Sequence, residues 1–503
     1  MTNLRTLSYT ERNHLASGEF FQTVFSQKSP ENTAAIQNII NRQESIDMTN
    51  EQNNRNRNEP LFTTYSVPTV YGAICRERFL TVNVPGSKSI TNRALLLSTL
   101  ADGTSQLRGV LFSDDSRHFL KCVQELGFAT AVDEANAAIT VTGQGGAVPK
   151  KEASLYVGSA GTAARFLSAY LGVSRGTYHM DASPQMRRRP MAPLLDSLKE
   201  LGCEIRYPND TPEGYFPFTL RSHGFGKSSI TVDIAHSSQF LSALLIAACL
   251  SGEDFSIQIK GTHGMAYIKM TLQMMEQFGV TAVQTADNTF LIRKGQRYFA
   301  QEYRIEPDVS AACYFYAMVP LLHIPVCVRH VHFDSLQGDV EFLRILERMG
   351  CHADDTEYGI VLNPPETGWY HGVTADMSAC SDQAITLAAI APFADSPTTI
   401  TGIGHIRFQE SDRIHAIVTE LGKMGIRCDE TDDSITIYPG VPKPSLVETY
   451  DDHRMAMGFS LIGLRSRGIV INDPGCCRKT FENYFEVLED VIGQLQFVEP
   501  SEK

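Results

Sequence analysis

The sequence predicts a repeated α/β fold, and three observations predict it. A helix-like run closing on a hydrophobic residue and a glycine, then a strand, a polar turn and a second strand, recurs along the chain, as in RILERMGCHADDTEYGIVLNP and VTELGKMGIRCDETDDSITIYPG. The closing glycines are Gly127, Gly202, Gly279, Gly350 and Gly425, at spacings of 75, 77, 71 and 75, and a last helix reaches Gly493 after a further 68. Finally, 503 residues with 43% hydrophobic content leave material for two or more domains with large cores. Self-similarity at one long period marks duplicated supersecondary units. Each glycine fits the position just past a helix, where φ is positive.

Taken in order, the first part of the chain is unlike the rest. Residues 41–60, NRQESIDMTNEQNNRNRNEP, are polar, Asn-rich and without a core-forming pattern, and read as a linker or disordered tail. Ahead of them Ala35, Ile36, Ile39 and Ile40 could form one face of a short helix. The N-terminus lacks the apolar core of a signal peptide, and Glu11 and Glu19 argue against an organelle transit peptide. The expectation is a polar, partly disordered extension over residues 1–75. Deletion of residues 1–70 is expected to leave the protein folded and active.

Next comes the apolar FLTVNV, a strand ended by Pro85-Gly86, and then VPGSKSITNRALLL (84–97). From Ser89, Ala94, Leu95, Leu97 and Leu100 give a helix one buried face, with Gly103 as its stop. Lys88 and Ser89 then sit at a helix N-terminus, where free N–H groups and the macrodipole attract anions, with Arg93 one turn further in. The glycines that a nucleotide P-loop needs are replaced by Ser87 and Val82. A capped helix with solvated charges is the plain alternative.

Within the repeats, polar and cationic residues gather at helix starts. They are GSAGTAARFL (158–167), MRRRP (186–190), HSSQF (236–240), QESDRI (409–414), YDDHRMAM (450–457) and CCRKTF (476–481). Small residues let backbone amides approach a ligand. Each cluster alone also reads as a cap or a solvated face, and His453 reads equally well as a satisfied core histidine. The formal net charge of -13 excludes general nucleic-acid binding, so the basic clusters suit a small anion. Eleven scattered cysteines, with Cys476 and Cys477 adjacent, suit a reducing cytoplasm. No apolar run reaches the ~18 residues of a membrane span.

Taken together these motifs resemble the 3-phosphoshikimate 1-carboxyvinyltransferase family of enolpyruvyl transferases, also called 5-enolpyruvylshikimate-3-phosphate synthases. The resemblance runs in order from about Leu80 to Phe485. It passes through PGSKSITNRALLL, SDDSRHFL, GSAGTAARFL, MRRRPMAPLLDSL, SSQFLSALL, GDVEFLRILERMG, QESDRI, DDHRMAM and KTF. It implies a two-lobed fold of six βαβαββ units, three per lobe. The first lobe is expected over residues 76–85 plus 306–495 and the second over 86–305, with hinges near Val84–Pro85 and Arg304–Asp308. It also implies transfer of the enolpyruvyl group of phosphoenolpyruvate to the 5-hydroxyl of shikimate 3-phosphate with release of phosphate, on the route to chorismate and the aromatic amino acids.

Two phosphates and two carboxylates sharing one cleft explain why an acidic protein concentrates cations locally. By resemblance, Lys88, Ser89, Arg93, Ser237, Ser238, Gln239, Tyr267 and Asp382 bind shikimate 3-phosphate. Lys88, Gly161, Arg189, Gln239, Arg413, Arg454 and Lys479 bind phosphoenolpyruvate. Asp382 matches the carboxylate that contacts the 5-hydroxyl, Glu410 the one that exchanges a proton with C3, and Lys88 joins them as a catalytic residue. The resemblance implies no cofactor and no metal, small-molecule partners only, and a cytoplasmic monomer. Anions bound between like-charged faces are expected to draw the lobes together.

Three positions depart from the family pattern: Gln409 stands for a lysine, Gly264 for a serine and His405 for an asparagine. These changes imply altered affinity, a modified substrate, or compensation by neighbours such as Arg407. Two rival readings remain. The sister UDP-N-acetylglucosamine enolpyruvyl transferases usually open with KNAAL and carry a cysteine in the arginine loop, whereas DASPQMRRRP has none. A non-catalytic anion-binding protein would have no use for both Asp382 and Glu410.

Overall fold

The computed structural model describes residues 63–75, 77–235, 237–262 and 264–496. The stretch 41–60 and the Ala35–Ile40 helix face lie outside them. One repeat illustrates the rest. Strand Glu152–Tyr156 leads into helix Gly161–Val173, which returns as the parallel strand Arg175–Asp181. Helix Ala192–Glu200 follows, then the antiparallel strands Glu204–Arg206 and Phe218–His223. The sheet order is therefore first, second, fourth, third. Alternating burial along Phe218–His223 turns one face of the sheet to the helices and the other outward.

Three more sheets repeat this order, and a fourth keeps the same spatial plan with Glu302–Arg304 in the place of its first strand, so the expected βαβαββ plan is the observed one. The sixth unit differs. Its strands Ser445–Val447 and Ile469–Asn472 are completed by Thr64–Ser66, antiparallel to Ile469–Asn472, and its final strand Leu495–Gln496 pairs with Ile74–Cys75. Five repeat glycines, 127, 202, 279, 350 and 425, hold φ between 81° and 111°. Gly493 does not: it keeps a helical φ of -61°, its N–H bonded to the Glu489 carbonyl as an ordinary helix end.

Apolar side chains collect in two cores, giving two lobes. One core draws on Leu80, Val82 and residues 309–495, the other on residues 90–305. A deeply buried helix runs through each, Val309–Leu322 in the first, buried at every position but Ser310, and Gly161–Val173 in the second, buried throughout. Such helices are apolar all round because other elements surround them.

The chain passes between the lobes twice, and the two passages lie side by side. Ser87 N–H donates to the Glu306 carbonyl and Asp308 N–H to the Pro85 carbonyl, each at 2.8 Å. Each passage trades a strand. Leu80–Val82 stays in the first lobe, parallel to Val326–Val328, while Glu302–Arg304 completes the second lobe beside Asp102–Arg108. At the first passage a Cβ on Gly86 would lie 1.8 Å from the Gly109 carbonyl oxygen, so only glycine fits there.

Two boundaries read from the sequence move. The expected extension over 1–75 is too long, because Thr64–Ser66 is a sheet strand and Val67, Val70 and Ala73 are buried in the first core. Three residues, TYS, are too short a strand to stand out beside the polar run before them. The helix at Lys88 ends at Leu100, and Gly103 lies in the strand Asp102–Arg108 that follows at once. Among the described residues no helix is long and apolar enough to cross a membrane.

Candidate active site

Helix N-termini from both lobes converge on one cleft. The second lobe presents Lys88 and Ser89 at the start of Lys88–Leu100, Gly161 at the start of Gly161–Val173, and Gln239 at the start of Gln239–Ala248. Ser237, Ser238, Tyr267, Arg93 and Arg189 complete that wall. The first lobe supplies Asp382, Glu410, Arg413 and Arg454. Every residue given a catalytic or substrate-binding role from the sequence lines this cleft except Lys479, which stands behind Glu410 with Nζ 3.1 Å from Oε1. The Gly161 helix has no side-chain cap, which leaves its first N–H groups for a ligand, whereas the Gln239 N–H donates to the Ser237 hydroxyl at 3.3 Å.

Asp382 is the hub of the first lobe's wall. Its Oδ1 accepts from Arg413 Nη1 at 3.0 Å, and its Oδ2 accepts from Arg454 Nη2 at 2.7 Å. The Tyr267 hydroxyl, from the other lobe, donates to Oδ2 at 3.0 Å. Burial alone would raise its pKa, but Arg454 and then Arg413 outweigh burial and hold the carboxyl well below the usual range. Glu410 is held the same way, by Arg413 at 2.8 Å, Lys479 at 3.1 Å and Arg189 at 3.7 Å. Lys479, Arg189 and Arg413 overcome its burial and keep it ionised. A third carboxylate, Asp339, forms no ion pair among the described residues, and the Arg454 charge offsets its burial only in part. Burial, then the nearby Asp382 charge, raise it from 3.8 to about 6.

On the second lobe Lys88 Nζ lies 3.5 Å from Asp115 Oδ2, and its backbone N–H donates to Asp308 at the other passage. Arg93 is fully enclosed. Its guanidinium donates to Thr271 Oγ1 at 2.8 Å and to the carbonyls of Ser89 and Tyr267, so it fixes two other cleft residues. Burial pulls its pKa down to about 10. Arg165 donates to Gln239 Oε1 at 3.0 Å and to the Gly161 carbonyl. A guanidinium only donates, so the amide oxygen of Gln239 faces Arg165 and its NH₂ is free to turn elsewhere. Of the three arginines in MRRRP, Arg187 pairs with Asp181 at the surface and Arg188 is exposed, leaving Arg189 for the cleft.

The departures resolve differently. Gln409 lines the cleft and accepts from Arg189 Nη2 at 3.3 Å. His405 stands one residue back, its Nε2 2.8 Å from the hydroxyl of Ser381 beside Asp382. At Gly264 a Cβ would meet Ser238 Oγ at 2.5 Å, so the Ser238 hydroxyl fills that space. Arg407 does not compensate for the missing lysine: its guanidinium is spent on Asp412 and Glu430, outside the cleft. His453 is not a satisfied core histidine, since among the described residues neither ring nitrogen has a hydrogen-bond partner, Nδ1 lying 3.7 Å from Asp452 Oδ1. Burial, then the nearby cations, keep it neutral.

Four residues with clear roles in this geometry were missed: Asp115, Arg165, Asp339 and Asp452. Each lies inside a quoted motif, and the adjacent acids in SDDSRHFL and YDDHRMAM were the available signal. Among the described residues no three or more His, Cys, Asp or Glu side chains gather as a metal site requires.

Comparison with known proteins follows from this geometry. The model of the EPSP synthase (3-phosphoshikimate 1-carboxyvinyltransferase) family matches residues 80–488. A 3-phosphoshikimate 1-carboxyvinyltransferase of Nostoc punctiforme is 45% identical over 407 residues, covering 80% of this chain and 94% of the relative. Halalkalibacterium halodurans has a 3-phosphoshikimate 1-carboxyvinyltransferase 2 that is 39% identical over 420 residues, covering 83% and 92%. Among solved structures, an EPSP synthase from Acinetobacter baumannii gives a TM-score of 0.71 at 23% identity, covering 86% of this chain and 98% of that one. The enolpyruvyl transferase NikO from Streptomyces tendae gives 0.63 at 17% identity, covering 83% and 96%. At these identities the structural likenesses bear on the fold alone.

Proposed function

As a member of the EPSP synthase (3-phosphoshikimate 1-carboxyvinyltransferase) family, to which the chain belongs, the protein is a transferase of the shikimate pathway that moves the enolpyruvyl group of phosphoenolpyruvate to shikimate 3-phosphate; we propose that the cleft between its lobes does so with Asp382 and Glu410 as the acid–base pair. The observation that carries this reading is the pairing of both carboxylates with Arg413, Arg454, Arg189 and Lys479, the cations assigned to phosphoenolpyruvate.

In this reading phosphoenolpyruvate anchors its phosphate and carboxylate on those cations, for which arginine's fork is suited. Shikimate 3-phosphate lies against Lys88, Ser89, Arg93, Ser237, Ser238, Gln239 and Tyr267. As the substrate anions draw the cations away, Asp382 and Glu410 lose the charges that hold their pKa values down, and both become better proton acceptors. Asp382 then takes the proton of the 5-hydroxyl as its oxygen attacks C2, and Glu410, having taken up a proton from water as its pKa rises, delivers that proton to C3. Phosphate leaves from the tetrahedral adduct when the methyl proton returns, and Lys88 balances the charge that develops. Substrate binding arms the acids.

The two separate cores support a division into residues 86–305 and the remainder, with the body beginning at residue 63 rather than 76. Eleven unpaired cysteines support a reducing, cytoplasmic setting, and the reading is of a monomer that meets small molecules only. Phosphate release on mixing the two substrates tests the reading. Glu410→Gln is expected to slow exchange of solvent hydrogen into the phosphoenolpyruvate methylene by ~10²-fold or more. Wild-type exchange in that variant would move the C3 proton to another group.

A further inference from the structure

Glu420 is a carboxylate that solvent does not reach and that the proposed reaction does not use. It lies on the helix Arg413–Lys423, seven residues after Arg413. Seven residues make about two helical turns, so both side chains leave one face of the helix, roughly 10 Å apart. Both reach the segment 448–452. Arg413 Nε donates to Asp452 Oδ2 at 2.8 Å. Glu420 takes the other end: Oε1 accepts from the Tyr450 hydroxyl at 2.6 Å and Oε2 from the Glu448 N–H at 3.2 Å. Lys423 Nζ, 2.7 Å from Oε1, balances the buried charge.

The backbone between these two anchors is strained. Tyr450 at φ 57° and Asp451 at φ 54° are consecutive non-glycine residues in left-handed backbone, where a Cβ crowds the following carbonyl oxygen. Such a turn persists only where its surroundings hold it. What the turn delivers is Asp452, whose N–H donates to the Thr449 carbonyl at 2.8 Å and whose Oδ1 accepts from the Arg454 N–H at 3.0 Å. The Tyr450 side chain is 39% exposed, so its hydroxyl, rather than a buried ring, ties the turn to the helix. All of these contacts lie within the first lobe.

We propose that Glu420 and Tyr450 are positioning residues for phosphoenolpyruvate: they anchor the strained turn that sets Asp452, and Asp452 aims Arg413 and starts the helix that carries Arg454. The proposal rests on the reading of those two arginines as phosphoenolpyruvate ligands. Apparent affinity scales with the fraction of protein in the binding-competent arrangement. A loosened turn lowers that fraction, so it weakens phosphoenolpyruvate binding more than it slows the bound complex.

The test compares wild type with Tyr450→Phe, Glu420→Ala and Glu420→Gln. It measures backbone hydrogen exchange across residues 448–454, KM for each substrate, kcat and the thermal midpoint. Tyr450→Phe removes one hydroxyl from a partly exposed ring and should melt close to wild type. Its Asp452 and Arg454 amides should exchange about fivefold faster and its phosphoenolpyruvate KM should rise about fivefold, the worth of one lost hydrogen bond. The shikimate 3-phosphate KM and kcat should change by less than about twofold, a split that a merely structural role would not produce. Glu420→Ala should move the same readouts further. Glu420→Gln can offer its oxygen to the Glu448 N–H and donate to the Tyr450 oxygen, so it should bring both back towards wild type. Wild-type exchange in Tyr450→Phe and Glu420→Ala would overturn the anchoring. Faster exchange with an unchanged phosphoenolpyruvate KM would overturn the positioning role. Arg454→Gln separates the underlying reading: an unchanged phosphoenolpyruvate KM there removes the ligand role of Arg454, while the exchange result continues to judge the anchor.

Discussion

Arg413 and Asp452 form an ion pair that solvent does not reach: Nε donates to Oδ2 at 2.8 Å, with the arginine 1% and the aspartate 0% exposed. Asp452 also accepts from the Ser411 hydroxyl and caps helix His453–Arg465 through the Arg454 N–H. One carboxylate thus aims one cleft arginine directly and starts the helix that carries the other. The aimed guanidinium ends on Asp382 and Glu410 together.

Asp452→Asn should therefore harm both stability and binding. Breaking one side of a buried pair typically costs ~3–5 kcal/mol, because the remaining charge is left without a partner. The variant is expected to melt several degrees lower and to raise the phosphoenolpyruvate KM about tenfold or more. A thermal midpoint and KM both matching wild type would mean that other groups orient Arg413.

The N-terminal boundary gives a second prediction, opposite to the one the sequence suggests. A chain starting at Phe62 keeps Thr64–Ser66 paired with Ile469–Asn472, and Val67 and Val70 in the core. A chain starting at Tyr71 loses that strand and both valines, about 3–6 kcal/mol of apolar burial. Calorimetric unfolding should show the longer chain near wild type and the shorter one markedly destabilised. Equal midpoints would make the strand dispensable.

What the sequence revealed follows the range of the interactions involved. The φ > 0 glycines and apolar helix faces are local, and five of six glycines read from spacing adopt that backbone. Lys88, Ser89, Gly161, Gln239, Asp382, Arg413 and Arg454 were legible because each sits in the first turn of a helix, and the fold brings those starts to one cleft. Pairings across the chain were not. Arg413 finds Asp452 across 39 residues, Gln185 finds Asp451 across 266, and Thr64–Ser66 finds its partner strand some four hundred residues away. Whether Arg407 could compensate was not legible for the same reason, since Glu430, which occupies it, arrives with a later strand.

Asp339 gives a pH-dependent prediction. Its folded pKa, raised from 3.8 to about 6 by burial and by Asp382, means that the folded state holds a proton the unfolded state has released. Its contribution to stability is fully present below about pH 4 and is lost as pH rises through about 6. Asp339→Asn, permanently neutral and still able to accept from Gln383, should gain stability relative to wild type between pH 4 and 7. A melting-temperature difference that stays constant over that range would show that Asp339 is ionised throughout.

The central claim is that Asp382 takes the proton of the attacking hydroxyl, and turnover of Asp382→Asn measured beside calorimetric binding of shikimate 3-phosphate tests it most directly. Asparagine keeps the shape and a hydrogen-bonding group but accepts no proton at neutral pH. Lys88, Arg93 and the Ser237–Gln239 turn are left to hold the shikimate phosphate. The account predicts binding close to wild type and a turnover lower by ~10²–10⁴. Near-normal turnover in Asp382→Asn would contradict it, and would pass the role of base to Lys88 or a bound water.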